Sequence, residues 1–142
     1  MALFILDERK KPQDQQKFGP YLDICPTNFD HFPIFFTQEE VELLKGTQFI
    51  TFLDHMIKEF YGSYHLICKL IPQFGEKYTI IQYLQARLLS LSRSFKVNME
   101  GKNTSNLLPM VDVFNHTCPP QLKLFYDQDK KVVVLEALKD IA

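Results

Sequence analysis

The sequence has no tryptophan, only three cysteines and almost no imbalance of charge, 16 Lys and Arg standing against 17 Asp and Glu for a net charge of −1. Each shortage excludes something. Cys25, Cys68 and Cys118 are odd in number, far apart and form no Cys-x-x-Cys pair, so they read as reduced, packed thiols of a cytoplasmic or nuclear protein. Zinc would need a tighter cluster, since His116 and Cys118 supply only two nearby ligands; no metal site is expected. The basic residues are scattered, with Arg9-Lys10-Lys11 and Lys130-Lys131 the only tight clusters. A nucleic-acid reader would show a basic face, so no direct nucleic-acid binding is expected. No stretch approaches the ~18 apolar residues of a membrane helix, and the apolar run at residues 2–6 is too short for a signal-peptide core. Without a secretory signal, the sequons at Asn103 and Asn115 mean little.

What is present is a chain of ordinary globular composition, 46% hydrophobic and 13% aromatic, the aromatics being all Phe and Tyr. That much Phe implies a sizeable core or a surface meant to be covered, and 142 residues suit one compact domain. Residues 2–10 read as a short helix, followed by a polar, turn-like stretch from Lys11 to Gln16. Pro20, Pro26 and Pro33 then punctuate an irregular segment rich in Phe and Tyr, which reads as packed coil and not as a cofactor box. Thr37-Gln38-Glu39-Glu40 is a capping box, opening a short helix that Gly46 should stop. Thr47 is expected to cap a second helix through Ile50, Leu53, Ile57 and Phe60, ending at Gly62. Residues 63–70 are ambiguous, and 72–77 read as a loop.

Thr79-Ile80-Ile81-Gln82 is a second capping box, after which Ile80, Leu84, Leu88, Leu91 and Phe95 mark one face of a helix to about residue 92. Residues 98–106 read as a polar loop, and 107–114 as a short, nearly continuous apolar run of buried character. Stretches 121–127 and 131–137 are β-prone and form a plausible hairpin around Gln128-Asp129-Lys130. The expected class is α+β, mostly helical to about residue 95 and β-rich after it. The closing hairpin needs a further element over its apolar face, so an incomplete domain is expected.

The run Pro109-Met110-Val111-Asp112-Val113-Phe114-Asn115-His116 resembles the P-x-x-D-x-x-N-H segment of SET-domain protein methyltransferases of the Rubisco large-subunit lysine methyltransferase-like class. Ser92-Arg93-Ser94-Phe95 resembles the S-R-A-F element of that class. Pro20-Tyr21-Leu22 leading to Cys25-Pro26 resembles its P-Y-L-x-x-L-P stretch, and Leu3-Phe4-Ile5-Leu6 with Glu8-Arg9 resembles the helix before it. The stretch Val133 to Ile141 resembles the strand that leads into a K-G-E-E-I segment. Five elements in order, over essentially the whole chain, make the likeness specific.

The resemblance implies a helical insert over residues 1–91 and part of a SET core over 92–142. It implies S-adenosylmethionine as cofactor and a protein substrate presenting a lysine, or in related members a histidine. Arg93, Asn115 and His116 would then meet the cofactor, Asn115 through its amide and His116 through backbone groups. Ser92 and Asp112 would face the acceptor amine, unless Asp112 is instead paired structurally with Arg93, since a buried carboxylate needs a partner. The Gly-x-Gly segment of the class would stand ahead of Met1 and its catalytic Tyr after Ala142, and Tyr126 is no substitute for the latter. No catalytic residue is therefore assigned, and a fragment inactive alone is expected. A reading from another class is a non-catalytic interaction module built on a SET scaffold. A metal-dependent hydrolase built on His116, Asp112 and Cys118 lacks a ligand set.

Overall fold

A computed structural model of the chain describes residues 1–140. Its architecture is α+β, with six helices followed by two antiparallel hairpins among the described residues. Contacts within the chain gather into two compact units, Met1–Ser90 and Leu91–Ala142.

In the first unit, α1 (Ala2–Lys10) carries Arg9 and Lys10 in its last turn, where cations suit the helix dipole. Glu8 is its buried carboxylate, accepting from the Lys11 ammonium at 2.7 Å and from the Phe18 amide at 2.8 Å. Those bonds tie the polar stretch after α1 to the start of α2 (Gly19–Ile24). The irregular segment thus holds one helix that was not expected, with Pro20 in its first turn, where proline's missing N–H costs nothing.

Both capping boxes form. Glu40 N–H donates to Thr37 Oγ1 while Thr37 N–H donates to Glu40, opening α3 (Gln38–Glu42). Thr79 and Gln82 make the same reciprocal pair ahead of α6 (Ile80–Arg93). Thr47 does not cap its helix, because its hydroxyl donates back to the Leu44 carbonyl at 2.7 Å.

The following helix runs eight residues beyond the end expected at Gly62. α4 runs over Phe49–Leu70 and passes through Gly62, which meets no neighbouring atom within 4 Å of an added Cβ. A single glycine costs a helix about 1 kcal/mol, which the burial of Leu53, Met56 and Phe60 outweighs. Residues 72–77 are likewise no loop but the helix α5 (Pro72–Lys77), again with proline at its start. Gly75 lets α5 approach α4, since an added Cβ would stand 3.2 Å from Cys68 Sγ. An aromatic cluster joins α4, α5 and α6. Tyr64 lies 5.9 Å from Phe74 and 5.6 Å from Tyr83, centroid to centroid. Its hydroxyl donates to the Tyr78 carbonyl, and Ser63 bonds the Tyr83 hydroxyl. On α6, Leu84 and Leu88 are buried as expected, while Leu91 is exposed and Tyr83 and Leu89 are buried in addition.

In the second unit, the expected polar loop at 98–106 is instead a hairpin, β1 (Ser94–Met99) with β2 (Lys102–Leu107). Its two turn residues, Glu100 and Gly101, have φ of 51° and 81°. Such angles belong to the tight turn whose twist matches paired strands. Phe95, Val97 and Met99 alternate with polar residues along β1, whereas β2 is almost wholly polar. The side chains of Asn98, Asn103, Thr104 and Asn106 bond one another and the backbone. The run at 107–114 is not the buried stretch expected: after Leu107 closes β2, none of its apolar residues is buried. It holds a 3-10 turn at Val111–Val113, entered through Met110 at φ 73°, with Met110, Val113 and Phe114 exposed. The second hairpin forms as expected, β3 (Leu122–Asp127) with β4 (Val132–Ala137). Asp127 Oδ1 accepts from the Asp129 and Lys130 amides and shapes its turn. The stretch likened to the family strand is described as far as Asp140; Ile141 and Ala142 lie outside the described residues.

Candidate functional site

The site is built where α6 passes into β1 and where the 3-10 turn leads into Asn115-His116. Arg93, in the last turn of α6, sends its guanidinium to the turn. Its Nη1 donates to Asp112 Oδ2 at 3.0 Å and to the Asp112 main-chain oxygen at 3.3 Å. The Asp112 side chain is only 2% exposed against 27% for Arg93, so the carboxylate depends on that bond more than the cation does. Of the two readings open for Asp112 in the sequence, the structural pairing with Arg93 is present.

Ser92, Arg93, Asp112, Asn115 and His116 all line one cleft of about 730 Å³, together with Ser94, Lys96 and Phe114. Phe95 and the Asn115-His116 pair also border a second cleft of about 450 Å³. That one is walled by Val111, Phe114, Leu122, Leu124 and Leu135, with Thr117 and Gln121 as further polar groups. The first cleft is polar and holds ionic groups; the second is largely apolar with a polar rim. Asn115 and His116 stand between them, with their side chains exposed.

No protein-family model matches the chain. An Arabidopsis thaliana protein, the chloroplastic [fructose-bisphosphate aldolase]-lysine N-methyltransferase, is 31% identical over 122 residues, or 82% of this chain and 24% of that protein. A crystal structure of the SET domain of LSMT bound to lysine and AdoHcy shares the fold with a TM-score of 0.68 at 21% identity, over 83% of this chain and 28% of that chain. The chain folds as part of a SET domain. It spans about a quarter of the length of the proteins it matches.

Within this SET segment, the five residues singled out from the sequence come together at one cleft. Sequence reasoning missed Lys96, Phe114 and the apolar wall from β3 and β4. Phe95 and Phe114 lie inside the quoted motifs and could have been marked as cleft aromatics from there. Lys96 follows the S-R-x-F element on β1, and its place at the cleft depends on β1 pairing with the polar strand β2. Among the described residues, no group of three His, Cys, Asp or Glu side chains is placed to hold a metal, and no helix is long and apolar enough to cross a membrane.

Proposed function

We propose that this SET segment supplies one lip of the S-adenosylmethionine site of a protein-lysine N-methyltransferase. On this reading residues 1–91 are the helical insert and 92–142 part of the SET core. The observation that supports it is the convergence of Ser92, Arg93, Asp112, Asn115 and His116 on one cleft, with an apolar slot beside it.

The residues present fit the cofactor. A slot walled by Phe95, Val111, Phe114 and three leucines, edged by an amide and a hydroxyl, suits a flat heterocycle with hydrogen-bonding edges. Asn115 would hold the adenine edge through its side-chain amide, and His116 through its backbone. The bound cofactor supplies an electrophilic methyl group on a sulfonium. The chain's own part is orientation and shielding: Ser92 would orient the acceptor nitrogen, Asp112 would fix the turn ahead of Asn115 through its pairing with Arg93, and the aromatic and leucine walls would exclude water. Arg93 holds Asp112 in place.

The acceptor is a lysine of a protein substrate in preference to a histidine. The Arabidopsis relative is by name a lysine methyltransferase, and the LSMT structure holds lysine and AdoHcy. The thiols of Cys25, Cys68 and Cys118, all unpaired, fit a reducing compartment such as cytoplasm or nucleus; the relative is chloroplastic.

Saturation-transfer NMR of S-adenosylhomocysteine with the whole chain tests the reading. Transfer to the adenine protons is expected in the wild type and in His116→Ala, and its loss in Asn115→Ala. No transfer at all, or equal transfer in Asn115→Ala, would overturn it.

A further inference from the structure

We infer that Lys96 is the cation with which this cleft meets a carboxylate, an inference that rests on the methyltransferase reading above. Four ionisable side chains line the cleft: Arg93, Lys96, Asp112 and His116. Asp112 is the sole acid among them, and its carboxylate is bonded to Arg93 at 3.0 Å. That pair cancels, and it holds the guanidinium that the motif alone would offer to an anion. Lys96 remains, exposed on β1, with no hydrogen bond or ion pair to any described residue. Ser94 shares its face of the strand, since side chains alternate along β1. The residual charge of the cleft is therefore positive, and it resides on Lys96.

A positive lip disfavours a protonated lysine and favours an acidic neighbour beside it. The ligand chemistry is thus a carboxylate, and two sources offer one: an Asp or Glu flanking the acceptor lysine, and the amino-acid end of the cofactor. The observations favour the first, because an exposed ammonium at the polar cleft is open to a peptide laid across it.

Fluorescence anisotropy with labelled peptides tests this on the whole chain. One peptide carries a central lysine flanked by Asp, the other the same lysine flanked by Gly. The Asp peptide is expected to bind tighter by about three- to five-fold at low salt, as for a solvent-exposed ion pair, and the preference should fade in high salt. Lys96→Gln should abolish the preference and Lys96→Glu reverse it. In a parallel arm, S-adenosylhomocysteine is compared with methylthioadenosine, which lacks the amino-acid end. A Lys96-dependent gap between those two would assign the cofactor as the carboxylate source. Binding of peptide and nucleoside with no dependence on Lys96 overturns the inference and leaves the function standing. If neither class binds, the proposed function fails and this inference with it.

Discussion

Arg93 Nη1 lies 3.0 Å from Asp112 Oδ2 and 3.3 Å from the Asp112 carbonyl oxygen, so one guanidinium holds both the side chain and the backbone of the turn ahead of Asn115-His116. Removing the cation leaves a carboxylate that is 2% exposed without its counter-charge. Arg93→Ala should therefore destabilise the second unit by about 2–4 kcal/mol. Urea unfolding followed by NMR peak intensities in residues 94–137 measures it. The double variant Arg93→Ala/Asp112→Asn should recover at least ~1 kcal/mol of that loss, the coupling expected of contacting residues. Additive losses would mean that the pair is incidental.

The acid sensitivity of the first unit should trace to Glu8. Its hydrogen bond from Lys11, and next the Phe18 amide, hold its carboxyl below the ordinary value of 4.5. A group whose folded value is lowered stabilises the fold fully above its unfolded value and loses that contribution as pH falls through the folded one. The melting temperature should thus decline as pH drops below about 4.5. Glu8→Gln should melt lower at neutral pH and show a flatter profile across that acid window. An unchanged profile would assign the acid loss to other carboxylates.

Gly62 sits exposed within α4 with open space around an added Cβ. Gly62→Ala should stabilise the protein by about 0.5–1 kcal/mol, a rise of roughly 2–3 °C in Tm for a chain of this size. A fall in Tm would show that α4 needs flexibility at that turn.

Much of the fold was legible where the signal is local. Thr37 with Glu40 and Thr79 with Gln82 announce helix starts by side-chain chemistry alone, and both boxes form. The Gln128-Asp129-Lys130 turn was equally plain. Gly62 misled because the tertiary burial of Phe60 and the packing of Tyr64 on Phe74 carry the helix past it. The β1–β2 hairpin stayed hidden because Phe95 reads as the end of the α6 face, although Phe95, Val97 and Met99 alternate along β1. β2 carries no such pattern, Asn98, Asn103, Thr104 and Asn106 holding the pair by hydrogen bonds. At the site, the motif residues were readable through the resemblance. Lys96 and the leucines of β3 and β4 were not, since their place depends on strand pairing.

That hidden hairpin offers its own test. Glu100 occupies a left-handed turn position, φ 51°, beside Gly101 at 81°. Asn tolerates that region better than Glu. Glu100→Asn should strengthen the hairpin by a few tenths to ~1 kcal/mol, read as slower hydrogen exchange of the β1 and β2 amides. Faster exchange would contradict the turn assignment.

The most direct test of the account is a titration of the isotope-labelled whole chain with S-adenosylhomocysteine, followed by amide chemical shifts to millimolar ligand. The account predicts shifts concentrated at Phe95, Phe114, Asn115, His116, Thr117 and Leu124, with the residues of α1 to α5 silent. Shifts confined to those helices, or none at all, would contradict it.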